Sequence, residues 1–138
     1  DRYMIYQART LGASAILLIC SLLSQSELEE YQAIATELGM SALVEAHDEQ
    51  EVEMALRAEA SIIGVNNRDL KTFTVDINNS ARYRKMVPKE VSFVSESGIK
   101  TAEDIAKLLE NGTDAVLIGE TLMRSENKKQ ALDELRGM

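Results

Sequence analysis

The sequence predicts an α/β fold in which parallel strands alternate with helices as in a (β/α)8 barrel. Three observations carry this. First, "LGASAILLI", "LGMSALVEA", "AEASIIGVN" and "NGTDAVLIG" repeat one plan of helix end, polar step and apolar run. They recur at roughly 20 to 30 residues, the period of a β–α unit. Second, the runs are rich in Ile, Val, Leu and Ala and do not alternate with polar residues, the pattern of strands covered on both faces. Third, the runs end abruptly in polar residues. Strand–helix–strand connections imply right-handed crossovers and a parallel sheet. That is compatible with an open doubly wound sheet or a barrel, and several strands contributing polar groups to one mouth favours the barrel.

The elements follow in order. "DRYMIYQARTLG" starts a helix almost at once and, with no initial Met, reads as the interior of a longer chain. Strands are expected near 15–19, 42–46, 62–66, 92–96 and 115–119. Between the first two, Ser26 with Glu29 predicts a capping box, Leu28, Tyr31, Ala35 and Leu38 form the buried stripe, and Gly39 ends the helix. Asp48 and Glu51 start the next helix, with Val52, Ala55 and Leu56 facing inward. A polar loop after Asn66 leads to a short helix over 81–87, and the fourth strand follows Pro88. Thr101 caps a helix carrying Ile105, Leu108 and Leu109 before Gly112, and a last helix runs near 128–135. No linker, low-complexity tract or long charge block divides the chain, so residues 1–138 read as a single domain.

Composition narrows the function. With 45% hydrophobic residues in 138, the chain can build a real core. Fifteen Lys and Arg against 23 Asp and Glu give a net charge of −8, with no basic footprint for nucleic acid or an acidic membrane. No apolar run approaches the ~18 residues of a membrane span. The one cysteine, Cys20, lies in "AILLIC" and reads as a buried, reduced thiol, which places the protein in the cytoplasm. No Cys/His cluster or carboxylate spacing suggests a metal.

The strand exits hold the candidate chemistry. They are Glu45, Ala46, His47 and Asp48; Asn66, Asn67, Arg68 and Asp69; Ser95, Glu96, Ser97 and Gly98; and Gly119, Glu120 and Thr121. Glu45 ends an otherwise apolar run, which favours function over a solvated carboxylate. Asn66 and Arg68, two apart, suit substrate positioning, whereas Asn67 points the other way and holds the loop. His47, beside Asp48, reads as structural or solvent-facing. "SESGI" and "IGETLM" put glycines at consecutive strand–loop junctions, where backbone N–H groups can approach an anion. Barrels build phosphate sites of this kind from their last two β/α loops.

In order and spacing, "LVEAHDEQE", "IIGVNNRDLKTFTVD", "VSESGI" and "AVLIGETLM" resemble the indole-3-glycerol-phosphate synthase family, from Asp1 to about Leu135. The resemblance implies a (β/α)8 barrel of which this chain carries the fourth to eighth strands with their helices and lacks the first three. It implies decarboxylating, dehydrating ring closure of 1-(2-carboxyphenylamino)-1-deoxyribulose 5-phosphate, with no metal or organic cofactor. On it, Glu45 matches a catalytic glutamate acting in proton transfer, and Asn66 an asparagine that orients the reacting groups. Arg68 matches a substrate-contacting arginine, Glu96 an active-site glutamate, and Leu117 an apolar substrate contact. Ser97, Gly98, Gly119 and Glu120 match the phosphate-binding turns.

The chemistry asks for at least one acid and one base, since attack of an aromatic ring on a carbonyl and the later dehydration both move protons. In the family the general-acid lysine ends the third strand, before the position of Asp1, so the chain alone is expected to be inactive. A truncated barrel leaves sheet edges unpaired, so self-association is expected. Two alternatives stay open: a non-catalytic phosphate-binding or self-associating half-barrel, and another phosphosugar barrel such as phosphoribosylanthranilate isomerase. "GVNNRDL" and Glu45 argue against the second.

Overall fold

A computed structural model describes residues 1–68 and 74–137. The motif "GVNNRDLKTF" is therefore described through Arg68, and Asp69 with the residues to 73 lies outside the described residues.

The chain runs α1 (Arg2–Thr10), β1 (Ala15–Ile19), a 3-10 turn (Cys20–Leu22), α2 (Gln25–Glu37), β2 (Ser41–Ala46), α3 (Glu49–Arg57) and β3 (Ile62–Asn66). It continues through α4 (Asn78–Arg84), β4 (Ser92–Glu96), α5 (Ala102–Glu110), β5 (Ala115–Leu117), α6 (Glu120–Arg124) and α7 (Lys128–Leu135). The five strands are all parallel and lie in sequence order, β1-β2-β3-β4-β5. A doubly wound sheet reverses its order at a switch point. Here each right-handed crossover moves one strand in the same direction, which puts the connecting helices on one side of the sheet. This is the curl of a barrel wall.

Registry decides which residues share a face. One face carries Leu18, Val44, Ala46, Ile63, Val65 and Phe93, buried together with Leu28, Tyr31, Ile34 and Ala35 of α2 and Val52 and Ala55 of α3. Each large aliphatic or aromatic side chain buried there stabilises the fold by about 1.5–3 kcal/mol. The opposite face carries Leu17, Leu43, Glu45, Gly64, Asn66, Val94, Glu96 and Leu117. It is not fully covered, contrary to the expectation from the non-alternating runs, for Leu17 is 47% and Leu117 51% exposed. The runs are apolar on both faces because both are built to be inside, but among the described residues only one has a partner layer.

Local differences from the sequence reading have local causes. The cap of α2 is Ser24 with Glu27, not Ser26 with Glu29: the Ser24 N–H donates to Glu27 Oε2 at 2.8 Å, and the Glu27 N–H to Ser24 Oγ at 3.3 Å. Gly39 ends that helix at φ +70°, as expected. Asp48 accepts from the Glu51 N–H, but the Glu51 side chain turns to His47 instead of closing a capping box. The short helix begins at Asn78, three residues earlier than read. In α5, Ile105 and Leu108 face the core, while Leu109 is 73% exposed. β5 stops at Leu117, because Ile118 and Gly119 already turn into α6.

Candidate active site

Glu45, Asn66, Glu96 and Leu117 stand on one face of the sheet at the carboxyl ends of successive strands. Glu45 is in register with Gly64, and Asn66 with Glu96, which is in turn in register with Leu117. Both carboxyl groups are buried, Glu45 at 6% and Glu96 at 2% exposure. Two carboxylic acids so placed are costly unless they share protons. Burial, a hydrogen bond to Glu45 and the charge of Glu45 together push the Glu96 carboxyl up to about 8. Glu96 therefore holds its proton near neutral pH and offers it to Glu45.

Gly64 makes room for this. A β-carbon at residue 64 would overlap Glu96 Oε1, so only glycine lets the acid lie against β3. Glu96 Oε1 is fully buried and has no hydrogen-bond partner among the described residues.

His47 stands beside Glu45, a contact the sequence reading did not anticipate. Its Nε2 stands 3.2 Å from Glu45 Oε1, and its Nδ1 3.0 Å from Glu51 Oε2. The signal was available: residues two apart on an extended segment share a face, and Glu51 follows His47 by one helical turn.

Asn66 accepts the Arg68 N–H through Oδ1 at 3.0 Å, which fixes the side chain and leaves its NH2 as the donor at the mouth. Asn67, buried at 1% exposure, does hold the loop. Its amide donates to Ser95 Oγ and to the Ser97 carbonyl, both at 3.0 Å, and its Oδ1 accepts from the Ser80 N–H at 3.1 Å and Ser80 Oγ at 2.8 Å. That network ties β3, α4 and the turn after β4 together.

The turn after β4 places Ser97 at φ +65° and Gly98 at φ +78°. The left-handed region strains a residue with a β-carbon, and the Asn67 bond to the Ser97 carbonyl holds Ser97 there. At Gly98 a β-carbon would in addition overlap Val75. Thr121 Oγ1 donates to the Ile99 carbonyl at 2.7 Å, so the Ser97–Gly98 turn and the Gly119–Glu120 turn lie side by side.

Arg68 reaches the same region. Its NH2 group donates to Glu120 Oε2 at 2.6 Å, and Arg124 Nε to Glu120 Oε1 at 2.9 Å. Hydrogen bonds from Arg124 and Arg68 hold the Glu120 carboxyl below the usual range. The structure thus brings Glu45, Asn66 and Glu96 together in one group and Arg68, Ser97, Gly98, Gly119 and Glu120 in a second beside it. Two surface hollows of about 540 and 390 Å³ lie elsewhere, along α7 and between α5, α6 and α7. Among the described residues no group of His, Cys, Asp and Glu is arranged to hold a metal ion.

Comparison with known proteins bears on the family and the fold. The family described as indole-3-glycerol phosphate synthase matches residues 1–135. The protein of that name from Ruminiclostridium cellulolyticum is 58% identical over 137 residues, covering 99% of this chain and 53% of the relative. The one from Endomicrobium trichonymphae is 55% identical over 136 residues, covering 99% and 53%. The chain spans about half the length of the curated relatives it matches. Among solved structures, a tryptophan synthase α-subunit from Pyrococcus furiosus superposes with a TM-score of 0.76 at 18% identity, covering 99% of this chain and 60% of that one. A mandelate oxidase gives 0.80 at 17% identity, covering 99% and 52%. Likenesses at that identity concern the fold, and they make it part of a (β/α)8 barrel. By its sequence, the chain belongs to the indole-3-glycerol phosphate synthase family.

Proposed function

We propose that this chain supplies the substrate-turning wall of an indole-3-glycerol phosphate synthase, a carboxy-lyase of tryptophan biosynthesis. The reaction is ring closure of 1-(2-carboxyphenylamino)-1-deoxyribulose 5-phosphate with loss of carbon dioxide and water. The observation that carries the proposal is the buried Glu45–Glu96 pair beside Asn66, in a chain of this family. Glu96 keeps a proton near neutral pH while Glu45 accepts one, so the pair can give and take protons during dehydration. The Asn66 amide orients the reacting groups, Arg68 meets the anthranilate-derived end, and Leu117 supplies apolar contact. Backbone N–H groups at Ser97–Gly98 and Gly119–Glu120 hold the phosphate. No cofactor enters this scheme.

Turnover needs a further acid. Among the described residues no lysine ends a strand, and the family places its acid lysine on a strand preceding the matched region. The open sheet face, with Leu17 and Leu117 exposed, gives the rest of a barrel its seat, and without it we propose self-association through the free edges of β1 and β5. A cytoplasmic location fits Cys20, whose thiol is buried and unpaired by disulfide, and no described helix is long and apolar enough to cross a membrane.

The test is formation of indole-glycerol phosphate by the chain alone and by the chain mixed with the complementary N-terminal segment of the Ruminiclostridium cellulolyticum relative. The expected result is turnover by the mixture only. Near-native turnover by the chain alone would show that the essential acid is misplaced, and an inactive but assembled mixture would refute the activity.

A further inference from the structure

We propose that His47 is the positioning residue of Glu45, clamped by Glu51 and carrying the proton that lies between its ring and the Glu45 carboxyl. The proposal deepens the reading above, since it rests on Glu45 being a proton-transfer group. Glu51 Oε2 accepts the His47 backbone N–H at 2.8 Å and meets Nδ1 at 3.0 Å. A carboxylate oxygen only accepts, so the Nδ1 contact places a proton on Nδ1 and turns Nε2 toward Glu45. Nε2 is buried, 3.2 Å from Glu45 Oε1, and has no aligned hydrogen-bond partner. With neither protonated, Nε2 and Oε1 would be two electron-rich acceptors 3.2 Å apart inside the protein, a repulsive arrangement. A proton held by Nε2 or by Oε1 resolves the conflict.

The surroundings strengthen this. Glu45 and Glu51 face the ring directly, Glu96 interacts with Glu45, and Asp48 caps the helix that carries Glu51. Cys20, on the turn after β1, lies within the field of Glu51, Glu45 and Asp48, and burial with those charges pushes its thiol up to about 12. All these neighbours are acidic groups, and among the described residues no Lys or Arg pairs with Glu45 or Glu51. When the shared proton passes through Oε1 to a substrate, an ionised Glu45 and an imidazole protonated on Nδ1 alone remain, and the pair regains the proton when the substrate later releases one.

The chain has a single histidine, so its ring nitrogens give one unambiguous set of NMR signals. In the 15N-labelled chain near neutral pH, both nitrogens are expected to show protonated or hydrogen-bonded shifts. Glu45→Gln should move the Nε2 signal and Glu51→Gln the Nδ1 signal. A bare Nε2 signal that Glu45→Gln leaves in place would overturn the proposal. In the completed enzyme, His47→Leu should lower kcat by about ten- to a hundredfold with little change in KM, the loss of one charge-assisted hydrogen bond. His47→Gln keeps a donor of similar reach but cannot titrate. It should restore part of that loss and alter the pH dependence of kcat; an unchanged pH profile in both variants would also overturn the proposal. The NMR measurement needs no turnover, so failure of the enzymatic reading and failure of the His47 assignment remain distinguishable.

Discussion

Replacing Glu96 by glutamine should change how stability depends on pH, and the structure says in which direction. The Glu96 carboxyl titrates near 8 in the folded chain against an ordinary value of 4.5. Between those two values the native state holds a proton that the unfolded state has released. Stability from this group is fully present below about 4.5 and is lost as pH rises through 8. The slope reaches at most about 1.4 kcal/mol per pH unit where the native side chain is protonated and the unfolded one is not. Glutamine has the shape of the protonated acid and does not titrate, so Glu96→Gln removes this slope. The variant and the parent should be about equally stable at the acid end, with the variant gaining steadily toward pH 8. Urea unfolding of both chains, repeated across pH 4.5 to 9, measures the difference directly, and other titrating groups largely cancel in the subtraction. Parallel stability curves would show that Glu96 ionises normally and that the proton shared with Glu45 does not exist.

Gly64→Ala puts a methyl where Glu96 Oε1 lies, and should cost about 1–3 kcal/mol by overpacking while lowering the raised pH midpoint as Glu96 is pushed out; a neutral substitution would mean the carboxyl is not seated there. Asn67→Ala strands Ser80 and loosens the Ser97 turn, at about 1–3 kcal/mol for each buried group left unpaired, read from the denaturant midpoint; no loss would show that water replaces the amide without cost. The chain by itself should self-associate or bind an apolar dye through the face that exposes Leu17 and Leu117, by light scattering and fluorescence. A dye-silent monomer with one cooperative transition would contradict the open-wall description.

Much of this was legible in the sequence because strand and helix punctuation is chemical. β1, β3 and β4 end where an apolar run meets Glu, Asn, Cys or Ser, and the run itself sets strand length. Thr101 and Asp48 cap as read, for their side chains have one near donor to accept. Ser24 and Ser26 both offer an N-cap, and only backbone direction decides between them. The sheet order and Glu45 with Glu96 on one face follow once parallel register is known, but register is a three-dimensional fact. The proton shared by that pair depends on burial and on the gap at Gly64, and a glycine inside an apolar run carries no sign of which side chain fills it. The contacts of His47 were missed for a similar reason: its neighbour in sequence, Asp48, faces solvent as a helix cap, whereas the residues it meets are two before and four after. The Arg68–Glu120 pair joins positions 52 apart, beyond any local pattern.

Turnover of Glu45→Gln in the chain completed with the N-terminal segment of a relative tests the proton-transfer role of Glu45 most directly. Glutamine keeps the size and the hydrogen bonding of Glu45 and removes its capacity to take a proton. The reading predicts a fall in kcat of about 10²–10⁴, with substrate still bound and the fold intact. Turnover within a few-fold of the parent enzyme would contradict it, and would remove Glu45 from the chemistry.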